Sequence, residues 1–483
     1  HAMHWRTITW LFGILLMLYS LSFIPSIGVA LVYADGEWGV FLDSLLISAS
    51  VGLFMWFPCR NKRIELTVRD GFVFVVLFWF ILGVVGSLPF ILGLHLGFTD
   101  AIFESVSGFT TTGSTIIGHL DVLPPSILYH RQQIQWLGGM GIVVLAVAVL
   151  PLLGVGGMQL YRAEASSVAQ QEKMTPRIVQ TARALWFTYF LLTMMCALAF
   201  WAAGMNLFDA VGHAFTTVAT GGFSTHDASL AYFDSAVIEA IAIVFMLAGG
   251  VNFAVHFIAL RRQSSVPYTT DPEVRSYFAI FLIGAVIVSA TLFLVGTYSG
   301  AWQSLRYGAF QVASILTSTG FTTATFSEWP LHIPIVLVTL SFIGGCVGST
   351  AGGIKVLRII VMAKVATREL FQLAHPHSVS IVNFGKEHVS DEVLFSVKAF
   401  VILYLATSLV LTAAMMAAGL DWETALGAVV ATINLLGPGL GDVSVTFESV
   451  SPVVKWLAIC AMLVGRLEVF TLLILFLPSF WRH

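Results

Sequence analysis

Asp100-Ala-Ile-Phe-Glu-Ser-Val-Ser-Gly-Phe-Thr-Thr-Thr-Gly113 can be laid without gaps over three other stretches of the same chain. They are Asp209-Ala-Val-Gly-His-Ala-Phe-Thr-Thr-Val-Ala-Thr-Gly-Gly222, Tyr307-Gly-Ala-Phe-Gln-Val-Ala-Ser-Ile-Leu-Thr-Ser-Thr-Gly320 and Thr424-Ala-Leu-Gly-Ala-Val-Val-Ala-Thr-Ile-Asn-Leu-Leu-Gly437. Each has a small residue second (Ala101, Ala210, Gly308, Ala425) and glycine last. Two begin with aspartate and the fourth is preceded by Asp421, and all three acids suit the N-cap of a short helix. A second landmark follows: Gly139, Gly249, Gly345 and Gly465 lie 26, 27, 25 and 28 residues after the terminal glycines. A lone glycine in an apolar helix is an ordinary packing device. Four paired landmarks at matched offsets are an internal repeat, and a repeat decides the architecture.

Composition fixes the solvent around that repeat. The chain has 483 residues, 58% of them hydrophobic and only 10% charged, with mean hydropathy +0.90. Soluble domains carry roughly a quarter charged residues, so the bilayer must solvate part of this surface. Cys59, Cys196, Cys346 and Cys460 are scattered, without metal or redox spacing, and read as buried thiols. Apolar runs long enough to span fall near 8–32, 38–58, 71–94, 132–153, 184–204, 235–260, 277–298, 332–362, 393–418 and 453–480. The four repeated stretches, near 100–115, 209–224, 305–322 and 424–440, are too short to cross and too apolar for solvated loops. They read as re-entrant half-helices.

Basic residues sort by side. Arg6, Arg60, Lys62, Arg63, Arg69, Arg162, Lys173, Arg177, Arg183, Arg261, Arg262, Arg275, Lys355, Arg358, Lys364, Arg368, Lys386, Lys398 and Arg482 fall on one side of that topology. The other side has Arg131, Arg306 and Lys455 among several acids. The positive-inside rule then puts both termini in the cytoplasm and the half-helices outside. The expected fold is an all-α membrane protein of four helix–pore-loop–helix repeats in pseudo-fourfold arrangement, preceded by two extra transmembrane helices. Its divisions are 1–68 for the N-terminal pair, then repeats at 69–160, 161–265, 266–375 and 376–483.

Such a unit suits a cation pore. A dehydrated cation needs its lost water oxygens replaced, and rings of backbone carbonyls replace them. Aiming successive carbonyls inward takes backbone angles that a Cβ resists and glycine supplies. The negative end of each half-helix also favours a cation below it. The candidate filter is therefore Thr111-Thr112-Gly113, Thr220-Gly221-Gly222, Ser318-Thr319-Gly320 and Leu435-Leu436-Gly437, with potassium as the permeant ion. The fourth loop has no hydroxyl beside its glycine, so the ring is chemically asymmetric and its discrimination among large monovalent cations is expected to be looser than that of a strict fourfold filter. Asn252, His213 and His256 read as packing groups. No Walker loop, dinucleotide fingerprint, nucleophile–base pair or paired carboxylate appears. No enzymatic activity, organic cofactor or nucleic-acid partner is expected.

On the four filter loops, the stretches 220–225 and 318–323, the glycine-rich stretch 344–353 and Gly465-Arg466-Leu467-Glu468, the sequence resembles the Trk/Ktr/HKT superfamily of potassium transporters, in its TrkH type. The N-terminal helix pair favours that type over the shorter Ktr subunit. The resemblance implies uptake across the bacterial inner membrane, a homodimer with a pore in each protomer, and gating by a cytoplasmic TrkA ring that binds ATP/ADP or NAD. It leaves channel-like flux and proton-coupled symport open. A potassium-binding subunit of an ATP-driven pump and a sodium-permeable relative remain alternatives.

Two features fall beneath the filter. Gly344, Gly345, Gly348, Gly352 and Gly353, with Ser349 and Thr350 among them, interrupt an expected helix. Each costs roughly 1 kcal/mol against alanine. The stretch reads either as a tight crossing or as the mobile intramembrane gate that the resemblance requires, with Lys355 at the cytoplasmic mouth. Arg466 falls at mid-helix, where insertion costs about 2.5–3.5 kcal/mol. It either faces the pore as a barrier to cations or pairs with an acid on another repeat; Glu468, two positions on, points elsewhere.

Overall fold

The computed structural model describes residues 3–61, 66–145, 174–330 and 332–481. Lys62, Arg63, Arg162, Lys173, Arg482 and the end of the expected span 132–153 lie outside the described residues. The N-terminal pair is α1 (Trp5–Ser20), which runs through a 3-10 turn into α2 (Ile24–Tyr33), and α3 (Trp38–Trp56). Gly13 and Gly52 let α1 and α3 touch backbone to backbone: a Cβ on Gly13 would lie 2.7 Å from the Gly52 carbonyl. Then come α4 (Val68–Gly86), α5 (Leu88–Leu94), α6 (Phe98–Phe109) and α7 (Pro125–Val144). Next are α8 (Met174–Ala202), α9 (Leu207–Val218), α10 (Ala236–Gly249) and α11 (Phe253–Arg262). The third set is α12 (Val266–Thr270), α13 (Pro272–Val295), α14 (Ala301–Leu316), α15 (Ile333–Ile343) and α16 (Val356–Ala374). A hairpin follows, β1 (Asn383–Phe384) antiparallel to β2 (Glu387–His388), turning at Gly385 with φ +62°. The last set is α17 (Asp391–Ala417), α18 (Trp422–Ile433), α19 (Pro452–Arg466), α20 (Phe470–Leu473) and α21 (Pro478–Trp481).

Among the described residues, six helical stretches are long and apolar enough to cross a bilayer: Trp5–Tyr33, Trp38–Cys59, Val68–Leu94, Val179–Ala202, Pro272–Val295 and Asp391–Ala417. Their outward residues are apolar, as on α13 (Leu282, Ile283, Val286) and α17 (Ile402, Leu409, Val410), all at least 60% exposed. That surface requires lipid, and the chain is a membrane protein. The four half-helices form where expected, as α6, α9, α14 and α18. Twelve residues, the length of α6, rise about 18 Å, well short of the ~30 Å hydrocarbon layer.

Several expectations need correction. The spans expected at 235–260 and 453–480 are not continuous. The chain bends by 98° between α10 and α11 and by 111° between α19 and the Phe470–Phe476 segment. At the first bend the Asn252 side chain accepts from Ala254 N, starting a new helix, and the carbonyls of Gly249 and Gly250 accept from Thr350 N and Cys346 N. A break at membrane depth is tolerated because other protein groups satisfy the freed backbone. At the second, Glu468 and Val469 both have positive φ, +58° and +47°, a strained geometry for a β-branched valine. Arg466 is consequently the last residue of α19, not a mid-helix residue. Of the three acids expected as caps, only Asp421 caps a helix; α6 is preceded by Gly97 and α9 is capped by Asn206. Asp100 and Asp209 lie within the first turns, and Asp100 pairs with Lys455 at 2.8 Å. Cys196 and Cys346 are buried, but Cys460 is exposed on α19 and Cys59 is half-buried.

Candidate ion filter and gate

Each half-helix ends in the same way. The amides of Thr112 and Gly113 both turn back to the Ser107 carbonyl. Gly221 and Gly222 turn to Thr216, Thr319 and Gly320 to Ser314, and Leu436 and Gly437 to Ala431. The glycines take φ of +84°, +80°, +82° and +101°. The residues two before them, Thr111, Thr220, Ser318 and Leu435, are also left-handed, at +51° to +58°. This corrects the view that glycine supplies the unusual angles. Half of them fall on residues with a Cβ, at about 1–2 kcal/mol each, so the surroundings must hold them.

The four loops meet in a closed cycle. A Cβ on Gly113 would strike the Gly221 carbonyl oxygen, one on Gly222 that of Thr319, and one on Gly320 that of Leu436. A Cβ on Gly437 would lie 3.0 Å from the Thr112 oxygen, which closes the ring. Glycine is therefore needed for close approach as well as for backbone angle. Above the glycines lies a cavity of about 330 Å³, lined by Gly113, Gly222, Gly320, Pro438, His226 and Asp227. The loops are asymmetric in support. Ser107, Thr216 and Ser314 hydroxyls donate to the carbonyls of Ser114, Phe223 and Phe321, while Ala431 has nothing to donate.

Below the ring, the hydroxyls at the left-handed positions reach the elements expected to gate. Thr111 Oγ1 accepts from Arg466 Nη2 at 2.8 Å, Thr220 Oγ1 meets Thr350 Oγ1 at 2.9 Å, and Ser318 Oγ accepts from Gly352 N at 2.7 Å. The stretch Gly344–Lys355 is fully enclosed and hydrogen-bonded rather than loose. Phe253 N donates to Gly348 O, Ile354 N to Phe342 O and Val356 N to Gly345 O; Ser349 and Gly353 are buried within it. Glu273, on the first turn of α13, accepts from Val347 N at 2.7 Å and Leu357 N at 3.1 Å, holding both ends of the stretch. Lys355 does not reach the mouth: it is buried and its Nζ donates to the Ala351 carbonyl.

Arg466 donates to Thr110 O (3.1 Å), Thr111 Oγ1 and Thr350 O (3.0 Å). The guanidinium thus bridges filter loop 1 and the interrupted helix through neutral acceptors, not through an ion pair with an acid. Glu468 instead pairs with Arg358 at 2.8 Å, and Arg358 lies 3.7 Å from the Phe400 ring centroid. The basic residues of the acid-rich side are paired. Arg131 meets Glu104 at 2.9 Å, Arg306 meets Glu239, and Lys455 meets Asp100. Glu104 also accepts from Thr115 Oγ1 and Ile116 N, so the Arg131 pair braces loop 1 from behind. The loop residue His226 bridges Asp121 (2.6 Å) and Asp209 (3.0 Å) and stacks on Tyr232. Burial disfavours the imidazolium, but hydrogen bonds and charge from the two aspartates outweigh it and raise the His226 pKa above 6.5.

Sequence reasoning singled out the loop glycines and Arg466, which the structure places near one another, but not Glu104, Arg131, Gln135, Glu273 and Arg358 as their supports. The available signal was polarity inside apolar runs, above all Arg131-Gln-Gln-Ile-Gln135 on α7. His213, read as a packing group, donates from Nδ1 to Asp209 O and meets Ser224 Oγ through Nε2, and His256 donates from Nε2 to Ala248 O and meets Tyr268 OH through Nδ1.

A family model described as TrkH, cation transport protein, matches residues 39–482. The chain is 49% identical over 480 residues to the Trk system potassium uptake protein TrkH of Halomonas elongata, covering 99% of both chains. It is 48% identical over 483 residues to the protein of the same name from Escherichia coli, covering 100% of both. The crystal structure of the potassium transporter TrkH from Vibrio parahaemolyticus matches with TM-score 0.93 at 45% identity, covering 99% of this chain and 100% of that one.

Proposed function

The chain belongs to the TrkH family of cation transport proteins, and from that premise we propose that it takes up potassium through the ring of four glycine loops. It is a transporter, not an enzyme. The observation that carries this reading is the closed cycle in which each filter glycine faces the carbonyl of the next loop. That cycle supports four helix–pore-loop–helix repeats around one path, with residues 1–68 outside the repeats and boundaries near 161, 266 and 376. Potassium sheds water at the outer cavity and exchanges it for carbonyls of residues 111–113, 220–222, 318–320 and 435–437. The C-terminal ends of the four half-helices add partial negative charge close by.

The gate in this reading is the interrupted helix with Arg466. Gly344–Lys355 fills the space beneath the ring, and the guanidinium adds a positive charge that a cation must pass. Full-length similarity to potassium uptake proteins favours this function over a pump subunit. We place the protein in the bacterial inner membrane, both termini cytoplasmic, as a homodimer controlled by a nucleotide-binding ring of the TrkA type. The relatives' names place them in a Trk system, which supports such a partner.

The test is uptake of rubidium tracer into proteoliposomes, with potassium and sodium as competitors. Potassium should compete strongly and sodium weakly. Gly320→Ala, whose Cβ meets the Leu436 carbonyl, should cut uptake by roughly tenfold or more, since a filter tolerates little displacement of its carbonyls. Unchanged uptake and selectivity in this variant would refute the filter.

A further inference from the structure

The four loops are braced from behind in two alternative ways, and the alternatives alternate around the ring. In loops 1 and 3 the residues three and one before the glycine are both threonine, and they hydrogen-bond to each other: Thr110 to Thr112 at 2.8 Å and Thr317 to Thr319 at 2.7 Å. Loops 2 and 4 lack that pair, having Ala219 with Gly221 and Asn434 with Leu436. There the brace comes from the helix that follows the preceding loop, four residues before its landmark glycine. Gln135 of α7 donates to Gly221 O at 2.9 Å and accepts from Phe223 N at 3.0 Å, gripping the strand on both sides of Gly222. Ser341 of α15 accepts from Asn434 Nδ2 at 3.1 Å. The corresponding residues facing the self-braced loops are Phe245 and Ala461, which carry no side-chain hydrogen-bonding group.

The pattern also accounts for the second glycine of loop 2. Gly221 has no unusual φ, yet the three nearest neighbours of a Cβ there are all atoms of the Gln135 amide. The missing side chain makes room for the brace.

We propose that Gln135 is a selectivity-determining positioning residue, replacing in loop 2 the threonine pair that holds loops 1 and 3. The inference rests on the reading of the loops as the ion filter. Gln135→Ala leaves a filter carbonyl and an amide unheld. The expected result is a loss of potassium-over-sodium discrimination of roughly tenfold, because a filter tolerates little displacement of its carbonyls. A pair of threonines introduced at 219 and 221 makes the test reciprocal. Ala219→Thr/Gly221→Thr should impair selectivity while Gln135 is present, because the new side chain and the amide compete for one space. In the Gln135→Ala background the same pair should restore it.

The experiment measures potassium and sodium competition against rubidium uptake in proteoliposomes of the full chain, for Gln135→Ala, the double-threonine variant and the triple variant, with Gly222→Ala alongside. If Gln135→Ala does not yield folded protein, Gln135→Ser, too short to fill the space beside residue 221, takes its place with the same criterion. Lost discrimination with reciprocal rescue supports the brace. If Gly222→Ala alters selectivity while the Gln135 variant keeps the wild-type ratio, or if the triple variant is no better than Gln135→Ala, the brace is overturned and the filter stands. If neither Gly222 nor Gln135 variants change the ratio, the filter reading falls, and the brace with it.

Discussion

Arg466 is a buried guanidinium that gives its protons to Thr110 O, Thr111 Oγ1 and Thr350 O. Hydrogen bonds to a charged group contribute about 1.5–3 kcal/mol each, so one side chain ties the first filter loop to the interrupted helix. Arg466→Ala should raise basal rubidium flux in the absence of any regulatory partner, because it removes both the tie and the positive charge. Arg466→Lys should restore only part of the closure, since a single ammonium does not reproduce the guanidinium's planar fork. Wild-type flux in a folded Arg466→Ala protein would exclude the barrier role. The residue was visible in sequence as a charge in an apolar run. Its partners were not, because they come from positions 110, 111 and 350, and no local rule joins those numbers. Leu435 is a second case. Glycine at 437 was readable as a left-handed residue, but leucine at φ +58° was not, since only its enclosure makes that conformation tolerable.

The interrupted helix between α15 and α16 was legible as an interruption, because five glycines in ten residues cannot sustain a helix. What replaces the helix was not legible. The stretch is held at both ends by one carboxylate, Glu273, with its middle tied to loops 2 and 3. Glu273→Ala should lower thermal stability by about 1–3 kcal/mol through unsatisfied buried amides and increase partner-independent flux. Faster amide hydrogen exchange confined to 344–357 would be the accompanying signature. Protection unchanged in that segment would show that Glu273 does not hold it. The bends at 250–252 and 467–469 were missed for a related reason. Each offers only a glycine or two as warning; at the first, amides of Cys346 and Thr350 meet the carbonyls of Gly250 and Gly249, and at the second the Glu468 side chain pairs with Arg358. The half-helices were placed within a few residues, since their length and apolarity are properties of the local chain.

Across the whole molecule, outer contacts join the segments that carry the half-helices. Lys455 reaches Asp100, Arg306 reaches Glu239, and His226 joins Asp121 of the first repeat to Asp209 of its own. Asp121 is held below its usual carboxylate range: burial opposes this, but the His226 hydrogen bond and charge prevail. The raised His226 pKa gives a contribution to stability that is fully present below pH 6.5 and is lost as pH rises through the raised value. The carboxylate contribution is present above pH 3.8 and lost as pH falls through the lowered value. Protection of the 224–233 amides, taken relative to their intrinsic exchange rates, should therefore fall on the alkaline side of pH 6.5, and His226→Ala should remove that dependence; an unaltered profile in the variant would assign it elsewhere. The sequence by itself determined the class, the four self-aligning stretches, the half-helices and the glycines that end them. Each depends on hydropathy, on spacing or on an alignment of the chain with itself. Only the tertiary structure decided which polar groups hold the ring, where two spanning helices bend and what Arg466 touches. In lipid, buried backbone and side-chain polar groups need protein partners, and many of those partners come from other segments, 34 residues away for Ser318 and Gly352 and 356 for Arg466 and Thr110, beyond the reach of any local pattern.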